Sequence, residues 1–563
     1  MVDTVVETAV GKLEGFYKDE IFHFLGIPYA KPPIGPDRWS APKALEPWSG
    51  VLVADKFAPA SAQIRSGIVS YLPGDPQENE ENCLFLNIWS PGISDAKHPV
   101  MCFIHGGAFL TGSPSQLMYN GANLARRGVV VVSIAYRLGA LGFMAHPALV
   151  DESTGLWGNF GLADQIAALD FIQTNISCFG GDGDNITVFG QSAGSMSAVD
   201  LIGTEPGILF TSAAFLSGVP SPNHTKAPVG SSGKPLFKRL IAQSGAPLAS
   251  TEQAAVKVAE KMAAGLGMKE VDKEGFCKFT TAELLRAQAE IVASIDEGVG
   301  MPFQPVVDGL FLPQHPASQI ASGAGKDIDI LVGTNRDEFR LFALSVPGLD
   351  NFSLEDVTMM VDSYLRAAGI DRQRLDAKEV VDFYLEIAKE KALQSQRRIL
   401  ERIGTDWIFT VPISRLAIAH NLAGGRAFRY RFDKGSPFMN GALGACHGIE
   451  LPFVFATTGH PIVGLFSGQG EEVRLIADQL QSAWVSFAST GDPSCDILDN
   501  WPEYEREDKA TMVFDNLSHL EKGAEEDMLN FWDTHLGRYG EAGPIEGAVA
   551  ETVAHMLKDD GTS

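Results

Sequence analysis

Asn185-Ile186-Thr187-Val188-Phe189-Gly190-Gln191-Ser192-Ala193-Gly194 is an apolar, strand-like run that ends in Gly-x-Ser-x-Gly and passes directly into a helical pattern from Ala193 to about Ile202. A serine at the top of so sharp a strand-to-helix turn has backbone angles that tolerate no bulk nearby, and Gly190 and Gly194 leave the space. The same turn sets a helix N-terminus beneath the serine oxygen, so the Ala193 amide points to where a tetrahedral oxyanion would form. Ser192 is therefore the candidate nucleophile.

Upstream, the apolar run Val100-Met101-Cys102-Phe103-Ile104 leads into His105-Gly106-Gly107-Ala108-Phe109. A glycine-rich turn at a strand's carboxyl end lets amides converge on one point, as the second half of an oxyanion hole requires. Val129 to Tyr136 reads as another buried strand, and Gly161 to Asn175 as a helix. Further strands are expected at Leu240–Ser244, Ile328–Gly333 and Phe428–Phe432. Strands alternating with helices predict an α/β fold with a large, mostly parallel central sheet, helices on both faces, and ligands at the carboxyl ends of the strands. The first hundred residues, from Gly11–Gly15 through Glu80–Trp89, read as short alternating strands forming the antiparallel edge of that sheet.

Two strand ends carry further chemistry. Thr334-Asn335-Arg336-Asp337-Glu338 follows one, and Gly444-Ala445-Cys446-His447-Gly448-Ile449-Glu450 follows another. The order serine, acid, histidine is that of α/β-hydrolase triads, with His447 as the base and either Asp337 or Glu338 as the acid; position alone does not separate the two.

Composition narrows the function classes. The chain has 563 residues, 45% hydrophobic and 20% charged, with a net charge of −26. Such a field repels polyanions, so no nucleic-acid partner is expected. The longest apolar stretch, 128–150, contains Arg137 and His146, so no membrane span is expected. Met1 precedes strand-like residues with neither a basic nor an apolar leader region; no signal peptide is expected. The six cysteines, at 83, 102, 178, 277, 446 and 495, form no metal or disulfide spacing. Reduced thiols and the missing leader favour a cytoplasmic location over a secreted mature form. No metal or organic cofactor is expected, and the oligomeric state is not legible.

At these residues the chain resembles the type-B carboxylesterases, the family of carboxylesterases, cholinesterases and fungal lipases. The likeness runs from about residue 4 to about 535. It is carried by Phe24-Leu25-Gly26-Ile27-Pro28-Tyr29-Ala30, Glu81-Asn82-Cys83-Leu84-Phe85-Leu86-Asn87, His105-Gly106-Gly107-Ala108-Phe109, Tyr136-Arg137-Leu138-Gly139, Gly158 to Gln165, Phe179-Gly180-Gly181-Asp182, Gly190 to Gly194 and Gly491-Asp492-Pro493. The resemblance implies an α/β-hydrolase fold with helical insertions over the active site. It also implies a small-molecule ester substrate, Glu338 as the acid, and Gly107, Ala108 and Ala193 as oxyanion donors. It further implies structural ion pairs Arg38–Glu81 and Arg137–Asp164.

Four departures are visible. Ser61 stands where the family has a cysteine partner for Cys83, leaving that thiol unpaired. Gln191 replaces the glutamate that cholinesterases place before the nucleophile, and 63–82 contains Tyr71 but no tryptophan, which disfavours a choline ester. Val299 and Met301 replace aromatic rings on the acyl side, implying a wider, more adaptable pocket. Finally, Leu209–Pro220 and Leu236–Pro247 are similar pieces, of which the second is expected to hold the strand; 209–235 then reads as an inserted loop. The expected organisation is one domain over 1–540 and a loosely packed tail over 541–563. The expected activity is ester hydrolysis through an acyl-enzyme. A lipase for long-chain esters, or a non-catalytic adhesion protein of the same fold, are the rival readings.

Overall fold

The computed structural model describes residues 2–64, 79–93, 96–210, 227–293, 301–346, 348–367, 370, 372–391 and 395–537. Val299, Tyr71, most of the 209–235 segment and the 541–563 tail lie outside them.

Eleven strands among the described residues form one sheet. In chain order they are β1 (Phe16–Lys18), β2 (Ile21–Pro28), β3 (Phe85–Ser90), β4 (His98–Ile104), β5 (Val130–Ile134), β6 (Gly181–Gln191), β7 (Arg239–Gln243), β8 (Asp329–Asn335), β9 (Ala427–Phe432), β10 (Thr511–Phe514) and β11 (His519–Glu521). Their spatial order is β11-β10-β9-β8-β7-β6-β4-β5-β3-β2-β1. From β5 across β4 and β6 to β10 every pairing is parallel; the outer pairs are antiparallel. Strands covered on both faces are built mostly of apolar side chains, which is why β5 is buried at all five residues and apolar at four, the Ser133 hydroxyl being hydrogen-bonded to Asn87. The expected antiparallel edge is present, with one correction. Val5–Thr8, Gly11–Glu14 and Val51–Val53 pair among themselves in a separate small sheet, Leu13 opposite Leu52.

Helices pack around the large sheet. Helix α1 (Phe160–Asn175) and α2 (Ala193–Asp200) lie against β6, and every residue of α2 is buried. Of the two similar pieces, the second supplies β7. Helix α3 (Gln396–Thr405) continues through a wide π-type turn, Asp406–Thr410, into α4 (Val411–Leu422), which packs on β8 and β9. Pro412 explains that turn: it offers no N–H to the Ile408 carbonyl, and its ring clashes there, so the backbone widens by one residue. Helix α5 (Glu471–Thr490) stops at Gly491, whose φ of +84° is the left-handed value a helix C-terminus favours. No helix among the described residues is long and apolar enough to cross a membrane.

Both expected ion pairs are formed and buried. Arg38 grips Glu81 at 2.5 and 2.6 Å, and Arg137, just beyond β5, holds Asp164 of α1 with two bonds of 2.7 Å. Bidentate geometry of this kind locks loops against the sheet, and removing one partner would strand a buried charge. All six cysteines are free thiols, Cys83 included.

Candidate active site

Ser192 sits between β6 and α2 with φ +57° and ψ −128°, a strained combination for a residue with a side chain. Crowding explains the motif's glycines. A Cβ at Gly194 would lie 2.0 Å from the Ile104 carbonyl oxygen at the end of β4, and one at Gly106 would lie 2.9 Å from the Ser192 Cβ. The serine turn and the glycine-rich turn are thus in direct contact. The amides of Gly107, Ala108 and Ala193 find no acceptor among the described residues. Three amides without an acceptor, on the two turns that meet at one serine, can donate to an oxygen placed there.

The ends of β8 and β9 bring the other half. His447 Nδ1 lies 2.6 Å from Glu338 Oε2, and the histidine is buried. A carboxylate at that nitrogen requires Nδ1 to carry the proton, which leaves the lone pair on Nε2. Glu338 is fully buried, and its other oxygen accepts from Ser244 Oγ at 2.5 Å and from the Asn335 amide at 2.7 Å. Asp337 points elsewhere. It accepts from Arg340 at 2.8 Å and from the Ala445 amide at 2.9 Å, so it anchors the loop that carries His447 without touching the ring. Geometry separates the two acids that position could not.

His447 Nε2 accepts from the Gln191 carboxamide at 3.1 Å, which places the imidazole directly beside the serine turn. Phe342 and Phe409 rings lie 5.1 and 4.8 Å from it. Phe409 reaches there because it rides on the widened turn ahead of Pro412. Met301 is buried.

Several residues here escape a reading of the chain. Glu450 is fully buried three residues past His447, taking bonds from Gln243 Nε2 at 3.1 Å and Asn335 Nδ2 at 2.6 Å. Burial, then the charge of Glu338, pushes its carboxyl up to about 7. A carboxylate inside the apolar run Ile449-Glu450-Leu451 was the available signal. Ser244 closes β7, a strand end where ligands gather. Gln243, Asn335, Phe342 and Phe409 carry no such mark. His105 is fully buried against Tyr136, and burial takes its imidazole down to about 4, so it stays neutral.

Such an arrangement can deprotonate a hydroxyl, hold the resulting imidazolium against a carboxylate, and donate three N–H groups to an oxyanion.

A family profile described as the carboxylesterase family matches residues 2–231 and 224–532. The chain is similar to the para-nitrobenzyl esterase of Bacillus subtilis, 33% identical over 530 residues that span 93% of this chain and 97% of that one. It is also similar to the fumonisin B1 esterase of Sphingopyxis macrogoltabida, at 34% identity over 89% and 85%. The crystal structure of the Geobacillus stearothermophilus carboxylesterase EST55 superposes with a TM-score of 0.79, at 34% identity over 94% of this chain and 100% of that one.

Proposed function

The chain belongs to the carboxylesterase family and hydrolyses carboxylic esters, and from that premise we propose that it does so through an acyl-enzyme on Ser192. His447 Nε2 takes the hydroxyl proton as Ser192 Oγ attacks the ester carbonyl. Glu338 holds the resulting imidazolium, and the Gly107, Ala108 and Ala193 amides receive the oxyanion. The imidazolium then protonates the departing alcohol. Water repeats the sequence on the acyl-enzyme and releases the acid, restoring the serine.

The observation that carries this reading is the 2.6 Å Glu338–His447 pair set beside a strained serine turn with idle amides. Gln191, Met301 and Val299 are proposed for the substrate side from the resemblance, and the Gln191 contact with His447 supports the first. A neutral carboxamide before the nucleophile supports uncharged esters over choline esters. The family match reaches residue 532, which supports one domain over 1–540; the inserted loop over 209–235 is proposed from the sequence alone.

The test is kcat/KM on p-nitrophenyl esters from acetyl to palmitoyl, wild type against Ser192→Ala, with mass spectrometry after fluorophosphonate labelling. Loss of at least about 10⁴-fold in the variant, with label on Ser192 only, is the expected result. A maximum at short or medium chains identifies a carboxylesterase, and one at long chains a lipase. A wild-type rate in Ser192→Ala removes the mechanism.

A further inference from the structure

The glycine-rich turn is costly to hold. Ala108 and Phe109 both sit at positive φ, +54° and +60°, and such residues persist only where their surroundings over-determine them. Within the turn, the Gly107 carbonyl takes the amides of Leu110 and Thr111, and Phe109 O accepts from Gly139 N at 2.7 Å. The return leg at Gly112 has a different partner, a side chain 49 residues upstream.

Gln63 is buried, and its carboxamide pairs with the Gly112 peptide as a neighbouring strand would. Nε2 donates to Gly112 O at 2.8 Å, and Gly112 N donates to Oε1 at 2.9 Å. The second Nε2 proton goes to Ser61 O at 2.9 Å. Among these contacts two carbonyls and one N–H meet the carboxamide, and one orientation satisfies all three. Ser61 Oγ in turn donates to Tyr136 O at 2.5 Å, and Tyr136 OH donates to His105 O at 2.8 Å. The turn is therefore gripped at both ends, His105 by Tyr136 and Gly112 by Gln63, and Ser61 joins the two grips.

We propose that Gln63 is a positioning residue for ester hydrolysis: its carboxamide holds the 105–112 turn so that the Gly107 and Ala108 amides face the developing oxyanion. The inference rests on the oxyanion assignment above and goes beyond it, because Gln63 acts only through backbone that it holds. A donor aimed at where charge develops stabilises the transition state more than the bound ester, so loosening the turn lowers kcat and leaves KM nearly alone.

The test measures kcat, KM and the affinities for a trifluoromethyl ketone, which forms a tetrahedral oxyanion on serine, and for the matching methyl ketone, in wild type, Gln63→Ala and Ser61→Ala. Removing one oxyanion donor outright costs about 10²–10³ in kcat. Misaiming two without removing them is expected to lower kcat about 10- to 100-fold in Gln63→Ala, with KM within about threefold. The trifluoromethyl ketone weakens in proportion, and the methyl ketone does not. Ser61→Ala cuts the link between the grips and is expected to show the same pattern about 3- to 10-fold. It carries the test if Gln63→Ala does not fold. Folded variants whose kcat stays within twofold of wild type, or whose two ketones weaken equally, overturn the proposal. If wild type itself fails to prefer the trifluoromethyl ketone, the oxyanion assignment falls, whatever Gln63 does.

Discussion

Glu450 and Glu525 are both buried glutamates, yet they are held in opposite states. Glu450, beside the Glu338–His447 pair, takes bonds from the neutral donors of Gln243 and Asn335, and burial and the charge of Glu338 outweigh these and the opposing pull of His447, so its carboxyl rises to about 7. Burial would push Glu525 up as well, but the guanidiniums of Arg429, Arg431 and Arg402 outweigh it and hold the carboxyl at about 2. Arg429 makes the closest contact, 2.6 Å. Around Glu525 the charges are paired, and Arg340, Arg397 and Arg398 likewise form ion pairs with Glu401. Among the described residues no guanidinium pairs with His447 or Glu338; in the proposed mechanism the imidazole becomes cationic, which a fixed positive charge beside it would oppose. The border between the two regions runs between consecutive residues, with Asp337 on Arg340 and Glu338 on His447.

The sharpest way to break this contrast is at that border. Glu338→Gln keeps the shape but loses the charge that fixes the tautomer, and kcat is expected to fall about 10³–10⁴-fold. Asp337→Asn is expected to stay within about tenfold in kcat. Steady-state kinetics on one p-nitrophenyl ester decides it, and equal losses would erase the border.

Next in size is the region around Glu525. Glu525→Gln leaves buried guanidiniums without their partner and is expected to cost about 3–5 kcal/mol in urea unfolding, while kcat of the folded fraction stays within about twofold. A variant as stable as wild type would mean that the arginines do not need their anion.

The gentlest test uses pH. The ordinary carboxyl value of 4.5 lies above the value of about 2 for Glu525 and below the value of about 7 for Glu450. Glu525 therefore contributes stability that is full above pH 4.5 and is lost as pH falls through 2. Glu450 contributes stability that is full below pH 4.5 and is lost as pH rises through 7. Each contribution is about 3 kcal/mol at 1.36 kcal/mol per pH unit of displacement. Between pH 4.5 and 7, Glu450→Gln is expected to flatten the fall in stability with rising pH, and Glu525→Gln is not. Parallel curves for all three proteins would show that Glu450 titrates normally.

Much of this molecule is legible in its chain, because the informative features are local. Largely apolar runs mark β4, β5 and the second half of β6, the glycines around Ser192 announce a turn that admits no bulk, and His447 follows a strand end. What stays hidden depends on neighbours across the sheet. Glu450 finds Gln243 and Asn335 at positions 207 and 115 residues away, pairings no periodicity reports. Asp337 and Glu338 occupy adjacent positions, and only the backbone's turn into the helix after β8 sends one carboxylate to Ala445 and the other to His447. Leu13 alternates as a strand should, but nothing local says that its partner is Leu52 and not the large sheet.

From β6 to β11, each strand lies beside the one made just before it. On the ribosome the sheet can then grow at a single open edge, every new strand meeting its seat already built. Gln191 and His447 are 256 residues apart, so at about 5–20 residues per second the proposed nucleophile is made about 13 to 50 s before its proposed base. On the proposed mechanism, the nascent chain carries throughout that interval a serine with no base to activate it, and the site is completed only after the ninth strand is made.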